Sequence, residues 1–84
     1  MKYSLKIISR CERDLDAVEG HDFEAIKKRI LSLSDNPRPF GCKKMTADEG
    51  YRIRCGDYRV LYRIDEREKT VIVYRVKHRR EAYR

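Results

Sequence analysis

The most restrictive feature of the chain is a run of alternation interrupted by one Gly-Asp pair. Tyr51-Arg52-Ile53-Arg54-Cys55 alternates strictly, and Tyr58-Arg59-Val60-Leu61-Tyr62-Arg63-Ile64 nearly does. Two period-two segments joined by two turn residues read as a β-hairpin. Gly56 suits the first position of a tight primed turn. With Gly56-Asp57 as the loop, Cys55 faces Tyr58, Arg54 faces Arg59 and Ile53 faces Val60. Successive side chains point to opposite sheet faces. Tyr51, Ile53, Cys55, Tyr58, Val60 and Tyr62 then share a face that packs on helices. Arg52, Arg54, Arg59 and Arg63 share the other, interrupted by Leu61. A slip of one residue would exchange the two faces.

The remaining chain supplies the partners for that hairpin. Tyr3-Ser4-Leu5-Lys6-Ile7-Ile8 reads as a first strand. Ser9 with Glu12 three residues later forms a capping-box pattern at a helix start. Cys11, Leu15 and Val18 give that helix a short apolar stripe, and Gly20 is its expected stop. Asp22 is the expected cap of a second helix. Phe23, Ile26, Ile30 and Leu33 lie on one face of it. Asn36-Pro37 ends it, because a residue before proline disfavours helical geometry. Residues 38–50 read as loop, with a short strand near 43–45. Thr70 to Val76 is apolar on both faces until Arg75, which suits an interior strand. The basic tail begins at Lys77. The expectation is an α+β fold: one domain over residues 1–84, with an N-terminal strand and helix hairpin packed on a mainly antiparallel sheet of four or five strands.

Eighty-four residues are enough for one domain and leave little stability to spare. Charged residues make up 42% of the chain, so the core must be built from few side chains. The net charge of +7 is unevenly placed. Residues 1–50 carry 10 Lys/Arg against 9 Asp/Glu, and residues 51–84 carry 11 against 5. Clustered cations attract polyanions and repel one another in their absence. The three cysteines, Cys11, Cys42 and Cys55, are odd in number and show no metal-like spacing. Structural disulfides are therefore not expected, and a reducing cytoplasm fits. Residues 1–10 lack the apolar run of a signal peptide, and no segment reaches membrane-spanning length. P-loop, zinc-ligand and serine or cysteine triad signatures are all missing.

Like charges directly opposite on a sheet are destabilising. The Arg54–Arg59 pair, with Arg52 beside it, fits two readings. One is a phosphate-binding face, since guanidinium groups bind phosphate bidentately and stay charged. The other is a solvated outer face on which acids such as Asp57 relieve the repulsion.

Gly50-Tyr-Arg-Ile-Arg-Cys-Gly-Asp-Tyr-Arg-Val-Leu-Tyr62 and Val76-Lys-His-Arg-Arg-Glu-Ala-Tyr-Arg84 resemble the RelE/ParE toxin superfamily. The Gly-Asp-Tyr-Arg turn and the His-Arg-Arg-Glu-Ala-Tyr ending carry the resemblance, which covers the whole chain and points to the RelE branch. It implies the toxin of a type II toxin-antitoxin system, with a RelB-like antitoxin as partner. It implies a ribosome-dependent endoribonuclease that cuts messenger RNA in the ribosomal A site, with no metal and no cofactor. Carried over by position, the catalytic set falls on Arg52, Arg54, Arg59, Arg79 and Tyr83. Several family members have lysine where Arg52 and Arg54 stand. Arginine cannot give up its proton, so neither residue serves as proton acceptor.

The implied reaction is attack of a ribose 2′-hydroxyl on the neighbouring phosphate. Arg59 and Arg79 would hold the phosphate and stabilise its charge. Arg52 and Arg54 would orient the RNA and donate to the leaving oxygen, and Tyr83 would stack on a base or accept a proton. Lys43, Lys44, Arg63, Lys77, His78, Arg80 and Arg84 are candidate contacts to messenger or ribosomal RNA. Each has a plainer reading: a solvated loop for Lys43 and Lys44, a surface or helper role for His78 among cations, a packing anchor for Tyr83. Two other functions share the fold: a ParE-like inhibitor of DNA gyrase with no catalysis, and a decayed toxin that only binds RNA or an antitoxin.

Overall fold

A computed structural model describes residues 2–45 and 50–82. Strand β1 (Ser4–Ile7) leads into α1 (Ser9–Asp16) and α2 (Gly20–Ser32). Four strands follow: β2 (Lys43–Lys44), β3 (Tyr51–Cys55), β4 (Tyr58–Asp65) and β5 (Thr70–His78), then a single turn of helix, α3 (Arg79–Ala82). The sheet order is β1-β5-β4-β3-β2. Only β1 and β5 run parallel; the other three pairings are antiparallel. This is the expected α+β arrangement, with five strands.

The helix boundaries differ from the sequence reading, and the strands explain why. The N–H of Ile8 donates to the Val73 carbonyl at 3.2 Å, continuing the ladder past β1. Ile8 therefore takes the N-cap position, and the Glu12 N–H donates to its carbonyl at 3.1 Å. Ser9 is already helical, and the Ser9–Glu12 capping box does not form; no side chain caps α1. The first helix stops at Asp16, four residues before Gly20. Gly20, at φ +48°, instead opens α2, a backbone angle that glycine adopts at little cost. Asp22 lies in the first turn of α2 rather than capping it, where its charge still suits the helix dipole.

The hairpin register is the one read from sequence: Cys55 opposite Tyr58, Arg54 opposite Arg59, Ile53 opposite Val60. Gly56 has φ +59°. The inner sheet face contributes Ile53, Val60, Tyr62, Val71, Val73 and Val76 to the core. The helices contribute Cys11, Val18, Ile26, Ile30 and Leu33.

Strand β5 contains a bulge that alternation alone does not show. Tyr62 pairs with Val73, but Leu61 pairs with Arg75, so Tyr74 is an extra residue. Bulges of this kind put two residues opposite one and change which face follows. Without it, Val71 and Val73 would be followed inward by Arg75 and Lys77. With it, Val76 returns to the core and Lys77 stands opposite Arg59. The sequence pattern starts the basic tail at Lys77, but the strand extends through His78.

The edge of β5 beyond β1 is closed by α1. Asp14 accepts from the Val76 N–H at 2.9 Å and from Arg75 Nε at 2.8 Å. A backbone donor left at a covered edge needs such a partner.

Candidate nucleic-acid interface

Three strands align three cations. Arg54 on β3 faces Arg59 on β4, and Arg59 faces Lys77 on β5. One row further on, Lys43, Arg52 and Leu61 line up across β2, β3 and β4. Their inward neighbours Ile53, Val60 and Val76 are buried, which fixes the cations on the opposite face. Adjacent strands lie about 4.8 Å apart. Two unit charges about 5 Å apart repel by about 1 kcal/mol even in water, and by several times that in lower dielectric. Arg59 is only 6% exposed.

Two adjoining grooves share Arg54 and Arg59. The larger, of about 300 Å³, is lined by Gly41, Lys43, Arg52, Arg54 and Arg59. The smaller, of about 140 Å³, is lined by Arg54, Gly56, Asp57, Arg59 and Arg79. Arg79 arrives there because its N–H donates to the Asp57 carbonyl at 2.6 Å, tying α3 to the hairpin turn. Its guanidinium lies 3.7 Å from the Asp57 carboxylate, both well exposed. Gly41 and Lys43 are delivered by a loop anchored from behind. The buried Tyr62 hydroxyl donates to the Pro37 carbonyl at 2.6 Å. Arg38 pairs with Glu66 at 2.7 Å and donates from Nε to the Tyr51 hydroxyl at 3.3 Å. The Tyr3 hydroxyl and Arg38 hold the Glu66 carboxyl down at about 2.

The structure thus brings together Arg52, Arg54, Arg59 and Arg79, with Lys43 and Lys77 beside them. It does not bring in the whole RNA-contact set. Lys44 is paired with Tyr51 and so shares the inner-facing side of β3. Arg63 is on the arginine face but stands beyond Leu61, with its guanidinium 5.2 Å from the Tyr74 ring centre. His78 lies edge-on to Tyr58, with ring centres 5.2 Å apart, and its Nδ1 accepts from the Arg80 N–H at 3.2 Å. That contact is on the Tyr58 side, away from the arginines. Arg80 is exposed. Tyr83 and Arg84 lie outside the described residues.

One member of the groove was not singled out from sequence. Gly41, at φ +91°, has open space where a Cβ would stand. Asp57 is the one acid lining either groove among the described residues. The facing of Lys77 was legible in principle: Val71, Val73 and Val76 step by two and then three, the mark of a bulge. Cys55 is half-buried, and burial pushes its thiol up, which opposes a nucleophilic role. Among the described residues, no cluster of His, Cys, Asp and Glu is arranged to hold a metal. No described helix is long and apolar enough to cross a membrane.

Known proteins resemble this chain in sequence and in fold. A family profile described as "ParE toxin of type II toxin-antitoxin system, parDE" matches residues 5–83. The chain is 31% identical over 88 residues to "Putative toxin RelE1" of Methanocaldococcus jannaschii, covering 100% of this chain and 98% of that protein. It is 33% identical over 86 residues to "Toxin RelG" of Mycobacterium tuberculosis, covering 100% and 99%. Its fold superposes with TM-score 0.83 and 28% identity on a chain of the archaeal RelE-RelB complex from Pyrococcus horikoshii, over 94% of this chain and 97% of that one. The chain belongs to the RelE/ParE superfamily of type II toxin-antitoxin toxins.

Proposed function

We propose that this chain is a ribosome-dependent endoribonuclease of the RelE type, active on messenger RNA in the ribosomal A site. The row Arg54–Arg59–Lys77 carries the reading. A sheet that sets three cations in register concentrates positive charge and attracts a polyanion there. The grooves that share Arg54 and Arg59 suit two neighbouring phosphates, which guanidinium groups bind through paired N–H donors.

The chemistry follows from the groups present. A ribose 2′-oxygen attacks the adjacent phosphorus, its proton passing to an acceptor. The P–O5′ bond breaks, leaving a 2′,3′-cyclic phosphate and a 5′-oxygen that takes up a proton from solvent water. Arg59 and Arg79 would stabilise the charge that grows on the phosphate oxygens, a role worth about 10²–10³ in rate when one such donor is removed elsewhere. Arg52 and Arg54 would hold the flanking backbone, and Tyr83 would stack on a base or take the 2′ proton. A RelB-like antitoxin would neutralise the toxin, as the RelE-RelB complex of the Pyrococcus relative suggests. A cytoplasmic site of action accords with a ribosomal target.

A second reading keeps the fold and drops the catalysis. The matching family profile is described by ParE, and a ParE-like toxin of this fold would inhibit DNA gyrase. Pulse labelling after induction in cells separates the two. Arrest of protein synthesis within minutes, with intact chromosomes, supports the ribonuclease. Accumulating DNA breaks with translation running would replace it with the gyrase inhibitor.

A further inference from the structure

Among the described residues, two large apolar side chains are exposed, Leu31 at 46% and Phe40 at 102%. Single exposed apolar residues are ordinary, but Phe40 is held out by a pinned turn. Pro37 and Pro39, on either side of Arg38, have fixed φ. The Cys42 N–H donates to the Pro39 carbonyl at 3.0 Å, closing a four-residue turn with Phe40 second and Gly41 third. Gly41, at φ +91°, supplies the positive angle that a type II turn needs at its third residue. The Tyr62 hydroxyl holds Pro37, and the Arg38 N–H donates to Asn36 Oδ1 at 3.2 Å. Phe40 takes no part in the hydrophobic core. A phenyl ring fixed wholly in water forgoes the stabilisation that burial would bring.

The chain around the ring is basic. Residues 37–45 contain Arg38, Lys43 and Lys44 and no acid. Gly41, about 3.8 Å from Phe40 between Cα atoms, lines the larger groove with Lys43, Arg52, Arg54 and Arg59. The ring therefore adjoins the Gly41 end of the arginine groove, away from the hairpin turn. Phe40 lines neither groove, so a base on the ring and a phosphate among the arginines do not compete for one space. Every base has an aromatic face, and rings beside a cationic groove hold single strands without reading their sequence. We propose that Phe40 is a stacking platform: when a message phosphate lies in the larger groove, a neighbouring unpaired base of the same message rests on the Phe40 ring. The contact positions the RNA for cleavage and is blind to base identity. This inference rests on the RNA-cleavage reading above.

The test is single-turnover cleavage on ribosomes programmed with one message, either intact or carrying one abasic ribonucleotide. The abasic site is moved a position at a time through the nucleotides flanking the cut. The native protein is compared with Phe40→Ala, Phe40→Leu and Phe40→Tyr, and thermal unfolding should be the same for all four. On the intact message, Phe40→Ala should raise the toxin concentration for half-maximal rate by about 5- to 150-fold, the worth of one base–aromatic stack. Phe40→Leu should suffer most of that loss, and Phe40→Tyr should match the native protein. At one abasic position the native protein should be weakened as much as Phe40→Ala is on the intact message, and combining the two changes should add nothing. An unchanged half-maximal concentration in Phe40→Ala, or full rescue by leucine, overturns the inference. Losses that add at every abasic position also overturn it and give the ring to ribosomal RNA or to a protein partner. Absence of cleavage by the native protein on every message overturns the RNA-cleavage reading itself, and this inference with it.

Discussion

Replacing Asp14 by alanine should be among the costliest substitutions in the chain, although Asp14 touches no part of the basic grooves. Its carboxylate accepts from Arg75 Nε at 2.8 Å, from Arg75 Nη2 at 3.4 Å and from the Val76 N–H at 2.9 Å. The side chains of Arg75 and Asp14 are 21% and 16% exposed. Hydrogen bonds to a charged group are worth about 1.5–3 kcal/mol, and a partly buried arginine would lose this ion pair as well. The expected loss is about 3 kcal/mol. For a domain of this size that lowers Tm by roughly 10–25 °C. Asp14→Asn keeps an acceptor for the Val76 N–H and should lose about half as much. A double-mutant cycle with Arg75→Met should give a coupling of about 1–2 kcal/mol. Urea unfolding followed by circular dichroism reads all three. A loss below about 0.5 kcal/mol for Asp14→Ala, or equal losses for alanine and asparagine, would refute the edge-closing account.

Three further expectations follow from the same geometry. Tyr62→Phe removes the donor to the buried Pro37 carbonyl and should cost about 1–2 kcal/mol in urea unfolding, with the loop that carries Lys43 gaining amide exchange. At Gly50 a Cβ would stand 2.8 Å from the Tyr74 hydroxyl and 3.1 Å from the Tyr62 carbonyl oxygen, so Gly50→Ala should cost about 1–3 kcal/mol, read as a lowered Tm. Burial, followed by the nearby Asp14 carboxylate, pushes the Cys11 thiol from 9.0 up to about 11. Between those values the unfolded chain has released a proton that the folded chain retains. Stability should therefore fall as pH rises from 9 to about 11, and this part of the decline should vanish in Cys11→Ala.

The hairpin and its arginine face were legible because alternation, turn chemistry and register are all local. Tyr51–Cys55 and Tyr58–Ile64 need only each other and Gly56 to fix which side chains share a face. The helix starts were less so. Ser9 and Glu12 form a sound capping pattern, yet the hydrogen bond from the Ile8 N–H to the Val73 carbonyl sets the boundary from outside the local sequence. The same holds for Gly20, which reads equally as a stop for one helix or a start for the next. Lys77 shows the other limit. Its facing depends on a bulge at Tyr74, and one extra residue exchanges the two faces of everything after it. The resemblance supplied Arg79 as a site residue. Only the Asp57 carbonyl bond shows how a residue past the last strand reaches the hairpin groove.

The most direct test of the central claim is primer extension on a messenger RNA in a translating extract, with native protein, Arg59→Ala and Tyr83→Phe. The ribonuclease account predicts breaks at ribosome-occupied codons, reduced about 10²–10³-fold by Arg59→Ala and weakened by Tyr83→Phe. Intact message with undiminished translation in the presence of native protein would contradict it.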